Sequence, residues 1–258
     1  MSKKIFDVYS EYYNLIYRDK KYDKEAHFID SIINEYGRGG TKMLDLGCGT
    51  GMHDWILSGL GYQVTGLDQS DEMLNIARNW NYDTPGIGKK PTFVRGSLTE
   101  FVVDELQDII VSLFDVVSYL TSYSDFKEMA CRVQKSLVNG GLFIFDCWYG
   151  PAVFTQQPGT TVKRLENDSI SLIRIAESKL HDNSNSIVVS YDMFVNRKKD
   201  NVIKHFTETH HLRCYFDDEL DALLGAVGFV PVFKKVWFSD VTPSSDNWSV
   251  LFGYRLCR

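Results

Sequence analysis

The sequence predicts an α/β fold: a seven-stranded, mostly parallel sheet with helices on both faces, plus an antiparallel β layer inserted ahead of the last helix. Three observations carry that expectation. Between residues 42 and 150, short apolar runs alternate with segments of helical periodicity, the pattern of βα units feeding a parallel sheet. The run Asp108-Ile109-Ile110-Val111-Ser112-Leu113 is almost continuously apolar, as a strand covered on both faces must be. From Thr160 to Tyr215 the alternation stops, and β-rich runs follow one another across short polar turns.

Residues 5 to 36 have helical periodicity and carry Tyr9, Tyr12, Tyr13, Tyr17, Tyr22 and Tyr36, which reads as an amphipathic cap whose rings pack on the sheet. Gly37 to Gly40 form a loop and Lys42 to Leu46 the first strand. The first core helix runs from Met52 to Leu60, closed by Gly61. The strand Gln63 to Leu67 ends in Asp68-Gln69-Ser70. Ser70, with Met73 three residues on, is the better cap for the helix that follows to about Trp80, which leaves Asp68 to a ligand. Residues 83 to 91 have turn-forming composition, and Thr92 to Gly96 make the next strand. A helix from Ser124 to Leu137 ends at Asn139-Gly140-Gly141, ahead of the strand Leu142 to Asp146.

The inserted strands are Thr160 to Glu166, Ile170 to Leu180, Ser186 to Arg197 and Val202 to Tyr215. The helix Asp217 to Val227 is stopped by Gly228, and the strands Phe229 to Trp237 and Ser249 to Arg255 complete a Rossmann-like sheet. The chain therefore divides into an N-terminal helical lid (1–36), a core (37–159 and 216–258) and the insert (160–215).

With 258 residues and 44% apolar content the chain is long enough for one large domain with a sizeable core. A formal charge of −6 argues against broad capture of nucleic acid, which needs clustered Lys and Arg. Cys48, Cys131, Cys147, Cys214 and Cys257 are odd in number, lack C-x-x-C spacing and read as buried thiols of a reducing compartment. Asp7 and Glu11 interrupt any signal-peptide core, and no segment approaches transmembrane length, so the expectation is a cytoplasmic protein without membrane contact.

The stretch Met43-Leu44-Asp45-Leu46-Gly47-Cys48-Gly49-Thr50-Gly51 carries the chemistry. A strand ends in an acid, the chain turns through glycines at alternate positions, and a helix begins near Met52. Glycine lets a ligand lie against bare main chain, and the helix N-terminus offers unpaired N–H groups. A dinucleotide fingerprint is G-x-G-x-x-G with no acid two residues ahead, whereas this run is D-x-G-x-G-x-G. Asp68, at the carboxyl end of the neighbouring strand, is placed to accept from both hydroxyls of a ribose.

These two motifs resemble those of the class I S-adenosylmethionine-dependent methyltransferases. The resemblance implies S-adenosylmethionine as cofactor, with Asp45 orienting its cationic amine, Gly47, Cys48, Gly49 and Gly51 passing close to it, and Gln69 and Met73 near the nucleoside, Met73 on the adenine face. Many relatives carry Asp where this chain has Ser97; its hydroxyl, or the backbone at Leu98, is the candidate adenine contact. Leu113 to Tyr119 border the methyl group and the acceptor, with Tyr119 as the candidate side chain there. The lid run Tyr13-Asn14-Leu15-Ile16-Tyr17 followed by Lys21-Tyr22 and Glu25 resembles that of small-molecule methyltransferases, which makes Tyr13 and Tyr22 candidates for the methionine carboxylate or the acceptor. Asn14 stands where an aspartate is usual.

The insert holds Lys204-His205-Phe206-Thr207-Glu208-Thr209-His210-His211, where strand alternation puts Glu208, His210 and Leu212 on one face and Thr209, His211 and Arg213 on the other. Adjacent histidines on a strand point apart, so no metal site is expected. With the lid and Phe216-x-x-Glu219-Leu220, this phrase resembles the nucleotide-linked amino-sugar N-methyl- and N,N-dimethyltransferase branch. In that branch a histidine often takes the place of Tyr119, and an arginine stands near Trp248. The expected reaction is in-line transfer of a methyl group to a small polar metabolite, preferably an amine, with Tyr13, Tyr119 and His210 on the acceptor side. A hydroxyl acceptor and a non-catalytic cofactor-binding domain are the alternatives. The expected partner is a small-molecule acceptor, with a homodimer as the assembly to test.

Overall fold

The structure, a computed structural model, describes residues 9–80, 89–200 and 202–258. Two lid helices, α1 (Ser10–Ile16) and α2 (Tyr22–Tyr36), precede β1 (Lys42–Leu46), α3 (Met52–Gly59), β2 (Gln63–Asp68), α4 (Asp71–Arg78), β3 (Thr92–Arg95) and β4 (Gln107–Ser112). Then come a short 3-10 turn (Val116–Tyr119), α5 (Tyr123–Ser136), β5 (Leu137–Trp148) and α6 (Gly150–Gln156). The inserted strands are β6 (Thr161–Glu166), β7 (Ile170–His181), β8 (Ser186–Arg197) and β9 (Val202–Arg213), and the chain closes with α7 (Asp217–Gly225), β10 (Phe229–Val236) and β11 (Ser249–Leu256).

The central sheet has the order β10-β11-β5-β4-β1-β2-β3. Strands β1 to β5 pair in parallel, and β11 runs antiparallel to both β5 and β10. Strand alternation feeds two cores. Met43, Ile109, Val111 and Ile144 pack under α2 and α3, while Leu44, Ile110, Phe143 and Phe145 pack under α5 and α7. Each such fully buried side chain contributes about 1.5–3 kcal/mol. Because the chain winds outward from β1 through β2 to β3 and then crosses back to β4 on the other side of β1, the crevice beyond the carboxyl ends of β1 and β4 is the place where such sheets take ligands.

The insert forms a separate antiparallel sheet, β6-β7-β8-β9. One end of its inner face packs Leu172, Met193 and Val195 on Tyr9, Tyr12 and Ile16 of α1, and the other packs Ala176, Ile187 and Val189 on Val153 of α6. The lid and the insert thus share a core above the crevice.

Several expectations need correction. The lid is two helices rather than one run, broken after Ile16, and residues 5–8 lie outside those described. The turn-rich stretch 83–91 falls mostly outside them too. Asn139-Gly140-Gly141 does not end a helix: β5 already begins at Leu137, and the glycines form a bulge where the pairing with β4 slips from Gln107↔Leu137 to Ile109↔Leu142. Pro151 starts the unforeseen α6, since proline suits a first helical turn. Strand β9 stops at Arg213, and Tyr215 instead bridges to Tyr149. All five cysteines are free, but Cys257, beyond the last strand, is exposed, and Cys48 and Cys131 are half-buried.

Candidate active site

A cavity of about 610 Å³ opens at the carboxyl ends of β1, β2 and β4, roofed by α1 and by β8 and β9 of the insert. Its volume is that of a small-molecule site. One end is built by the glycine turn. Gly47, Gly49 and Gly51 all have left-handed backbone, at φ +84°, +55° and +71°. A Cβ on Gly47 would lie 2.4 Å from Val116, and one on Gly51 2.7 Å from the Phe93 ring, so packing demands both glycines. At Gly49 a Cβ would meet nothing within 4 Å, and its bare backbone borders the cavity.

Asp45 ends β1 at 2% exposure, and its Oδ1 has no hydrogen-bond partner. Asp54, in the first turn of α3, is fully buried and acts on it. Burial raises Asp45 well above the usual carboxyl range, and the charge of Asp54 adds to the rise. Burial also pushes Asp54 up to about 7, although hydrogen bonding to Asp45 and Cys48 holds it down. Two facing acceptors with no donor between them hold a proton. A Cβ on Gly66 would come 2.3 Å from Asp54 Oδ2 and 2.8 Å from Cys48 Sγ, so this glycine makes room for the pair.

Asp68 lines the cavity, but it is not left free. Its Oδ2 accepts the Gly49 N–H at 2.9 Å and its Oδ1 the Ser70 N–H at 2.8 Å, because the glycine turn presents its amides to the neighbouring strand end. Ser70 caps α4 as expected, its hydroxyl accepting the Met73 N–H at 3.2 Å. Gln69, Met73, Ser97, Leu98 and Leu113 join Asp68 on the wall, and the Ser97 hydroxyl lies 3.0 Å from that of Thr99. Gly51 lies behind the wall, against Phe93 and Ala77.

Phe114 and Asp115, both at positive φ (+70° and +59°), turn the chain sharply after β4. Such backbone persists where its surroundings over-determine it. Here the carboxylate of Asp146 accepts the Asp115 N–H at 2.9 Å, the Trp237 Nε1–H at 3.1 Å and the Ser249 hydroxyl at 3.1 Å. The turn delivers Val116 beneath Gly47 and Tyr119 into the cavity.

The lid completes that end. The Thr50 hydroxyl donates to Asn14 Oδ1 at 3.0 Å, latching α1 to the glycine turn. His53 Nε2 lies 2.7 Å from Glu25 Oε2, whose other oxygen accepts Lys20 Nζ at 2.5 Å. Tyr22 stands edge-on to His53, and Tyr13 lies deeper in the wall. The half-buried ion cluster Lys20–Glu25–His53 was not foreseen.

The far end belongs to the insert. The Tyr119 hydroxyl is 2.6 Å from His210 Nδ1, and His210 Nε2 is 2.9 Å from Glu208 Oε1. Glu208 and His210 share a face two residues apart on β9, as alternation requires, while His211 on the other face is exposed. A carboxylate only accepts, so His210 carries its proton on Nε2 and Nδ1 accepts the phenol O–H. Burial raises Tyr119 well above the usual phenol range, so it is the neutral phenol that donates. Glu208, Tyr9, Tyr17 and Tyr191 are the members of this end that the sequence reading did not single out. Alternation had put Glu208 on the face of His210, but only the fold shows that face turned inward.

A doubly wound sheet with an acid–glycine turn at its switch point, a second acid on the next strand and a β layer over the crevice defines a class I S-adenosylmethionine-dependent methyltransferase fold. Residues 43–141 match the methyltransferase domain family, and the chain is a methyltransferase. It is 25% identical to a Geobacillus sp. chain named only as a methyltransferase, over 96% of this chain and 98% of that one. It is 24% identical to the Streptomyces venezuelae dTDP-3-amino-3,4,6-trideoxy-alpha-D-glucopyranose N,N-dimethyltransferase, over 86% of this chain and 88% of that one. A solved S-adenosylmethionine-dependent methyltransferase from Clostridium acetobutylicum superposes with a TM-score of 0.80 at 22% identity, covering 99% of this chain and all of that one.

Proposed function

We propose that the chain transfers a methyl group from S-adenosylmethionine to a small polar metabolite, preferably an amine. The observation that carries the reading is one cavity holding both an acid–glycine turn and, facing it, the chain Tyr119–His210–Glu208. The cofactor fits the first half. The orphaned Asp45 Oδ1 is an acceptor for the cationic amine, the bare main chain at Gly49 admits the methionine portion, and Met73 and Leu98 offer apolar contact to adenine. Asp68, oriented by two N–H groups, keeps lone pairs for ribose hydroxyls.

When bound, the cofactor supplies an electrophilic methyl on a sulfonium. The protein's share is alignment and proton handling. Holding the acceptor in line is worth roughly 7–11 kcal/mol when the geometry is right. An acceptor N–H hydrogen-bonds to the Tyr119 oxygen. As the nitrogen sheds its proton there, the phenol proton moves to His210 Nδ1, and the imidazolium is held by Glu208. The proton ends on the histidine, and Tyr119 is a neutral phenol before and after. The amine preference draws on the relatives named as amino-sugar N,N-dimethyltransferases. A hydroxyl acceptor would use the same relay.

The test is a calorimetric titration with S-adenosylmethionine and S-adenosylhomocysteine, followed by mass spectrometry on amine and hydroxyl acceptors. Saturable binding of both and mass gains of whole methyl groups on an amine are expected. Absence of measurable affinity for either would end the reading.

A further inference from the structure

Beyond the Tyr119–His210–Glu208 chain, the roof of the cavity contains a buried cation that no acid among the described residues answers. Arg174 on β7 is 6% exposed. Its Nη1 donates to the hydroxyls of Tyr9 at 3.0 Å and Tyr17 at 3.4 Å, and its guanidinium lies 5.1 Å from the Tyr191 ring centroid. Its Nε has no partner, and among the described residues no carboxylate pairs with it. Directly across the strand pair stands a second cation, Lys163, whose ammonium is 5.1 Å from the Tyr17 ring. The acid that acts on Lys163 is the exposed Asp19. Like charges facing each other across a ladder destabilise a sheet, and an unpaired buried guanidinium costs more. Among the described residues only the phenols of Tyr9 and Tyr17 and the Tyr191 ring answer that charge, and none of them carries a negative charge.

The phenols between this pair and the cavity show where the charge is felt. Tyr9, Tyr17 and Tyr191 line the cavity, and the Tyr9 and Tyr191 rings lie 5.9 and 4.9 Å from His210. Arg174 occupies a lone pair on the oxygens of Tyr9 and Tyr17, which lie 3.2 Å apart, so one hydroxyl donates to the other and the pair has a single O–H to give beyond itself. Burial keeps Tyr9 a neutral phenol. One wall of the acceptor space therefore takes protons, through Tyr119, and the adjoining wall gives a hydrogen bond backed by positive charge.

We infer that the acceptor is a small amine that also carries an acidic group, a carboxylate or a phosphate, which docks on the outward O–H of the Tyr9–Tyr17 pair under the charge of Arg174 and Lys163. The inference rests on the methyl-transfer reading and narrows its substrate class. The amine meets Tyr119 and the acid lies one aromatic ring away, so the two groups of the acceptor are only a few bonds apart.

The test uses the purified full chain saturated with S-adenosylhomocysteine and titrated with sodium acetate or inorganic phosphate, against sodium chloride at equal ionic strength. Saturable binding of one of the two anions is expected, and which one binds assigns the acid as carboxylate or phosphate. Arg174→Gln should weaken it at least tenfold, whereas Lys179→Gln, on the exposed face of β7, should leave it unchanged. Arg174→Gln should also melt no lower than the parent without ligand, because a buried unpaired charge has been removed. If it fails to fold, Arg174→Lys keeps the charge without the fork and should weaken binding several-fold. In turnover, β-alanine or 2-aminoethyl phosphate should exceed ethanolamine at least tenfold in kcat/KM, and Arg174→Gln should close that gap. If S-adenosylhomocysteine binds and ethanolamine is methylated as well as the acid-bearing amines, with neither anion binding, this inference falls while methyl transfer stands. If S-adenosylhomocysteine does not bind, both fall.

Discussion

The Tyr119 hydroxyl, at the end of the 3-10 turn after β4, lies 2.6 Å from Nδ1 of His210, a residue 91 positions away on β9 of the insert. The turn at the end of central strand β4 supplies the phenol and the insert supplies the imidazole, so the relay exists only when the two layers are docked. Removing the phenol with Tyr119→Phe should lower turnover by about a hundredfold while S-adenosylhomocysteine affinity stays within about twofold. Glu208→Gln should lower turnover by about 10–100-fold, since an amide no longer fixes which imidazole nitrogen carries the proton. Steady-state kinetics across pH on both variants checks this. A Glu208→Gln enzyme with the parent pH profile would make Glu208 merely structural.

The glycines of the turn separate packing from binding. Gly49→Ala places its Cβ in open cavity space at φ +55°, so it should fold at a cost of about 1–2 kcal/mol and lose at least tenfold in S-adenosylhomocysteine affinity. Gly47→Ala drives its Cβ to 2.4 Å from Val116 at φ +84°, so it should lose stability first, by more than Gly49→Ala does. Thermal melting with and without ligand distinguishes the two patterns.

How much of this was legible beforehand follows from the range of the interactions. The glycine turn, Asp68, Ser70 and Met73 are set by local backbone demands, and the chain displays those directly. The order of the βα units was readable for the same reason. What pairs across the fold was not. Asp68 receives Gly49 and Ser70 N–H groups, one of them from another strand's turn, and no local pattern distinguishes that from a carboxylate awaiting a ligand. Glu208 and Arg174 look like ordinary alternating strand residues until the insert's register and facing are known. Gly51 shares the spacing of its neighbours, yet it serves the Phe93 contact, because glycine is demanded equally by a ligand and by a ring.

The carboxyl pair makes stability fall toward neutral pH. Asp54 titrates at about 7 in the folded chain and near 3.9 when unfolded, so the folded state holds a proton the unfolded state has lost. Its stabilising contribution is full below about pH 4 and disappears as pH rises through 7, an effect on the order of a few kcal/mol at most. Asp54→Asn keeps the shape without the charge and should flatten the melting temperature between pH 5 and 8, with its gain over the parent largest at pH 8. A parent chain whose melting temperature climbs steadily over that range would contradict the assignment.

The same pair should couple cofactor binding to proton release. Before binding, Asp45 and Asp54 share a proton because nothing else among the described residues donates to Asp45 Oδ1. An arriving ammonium brings both a donor and a positive charge, which favours the carboxylate at Asp45 and displaces the proton. Binding of S-adenosylhomocysteine at pH 6 to 7 should therefore release a proton fraction, seen as a binding enthalpy that varies with the ionisation heat of the buffer. Asp54→Asn supplies its own amide donor to Asp45, so the buffer dependence should shrink in that variant while binding persists. An enthalpy independent of buffer in the parent chain would mean that Asp45 is already ionised, held by some interaction other than the one described.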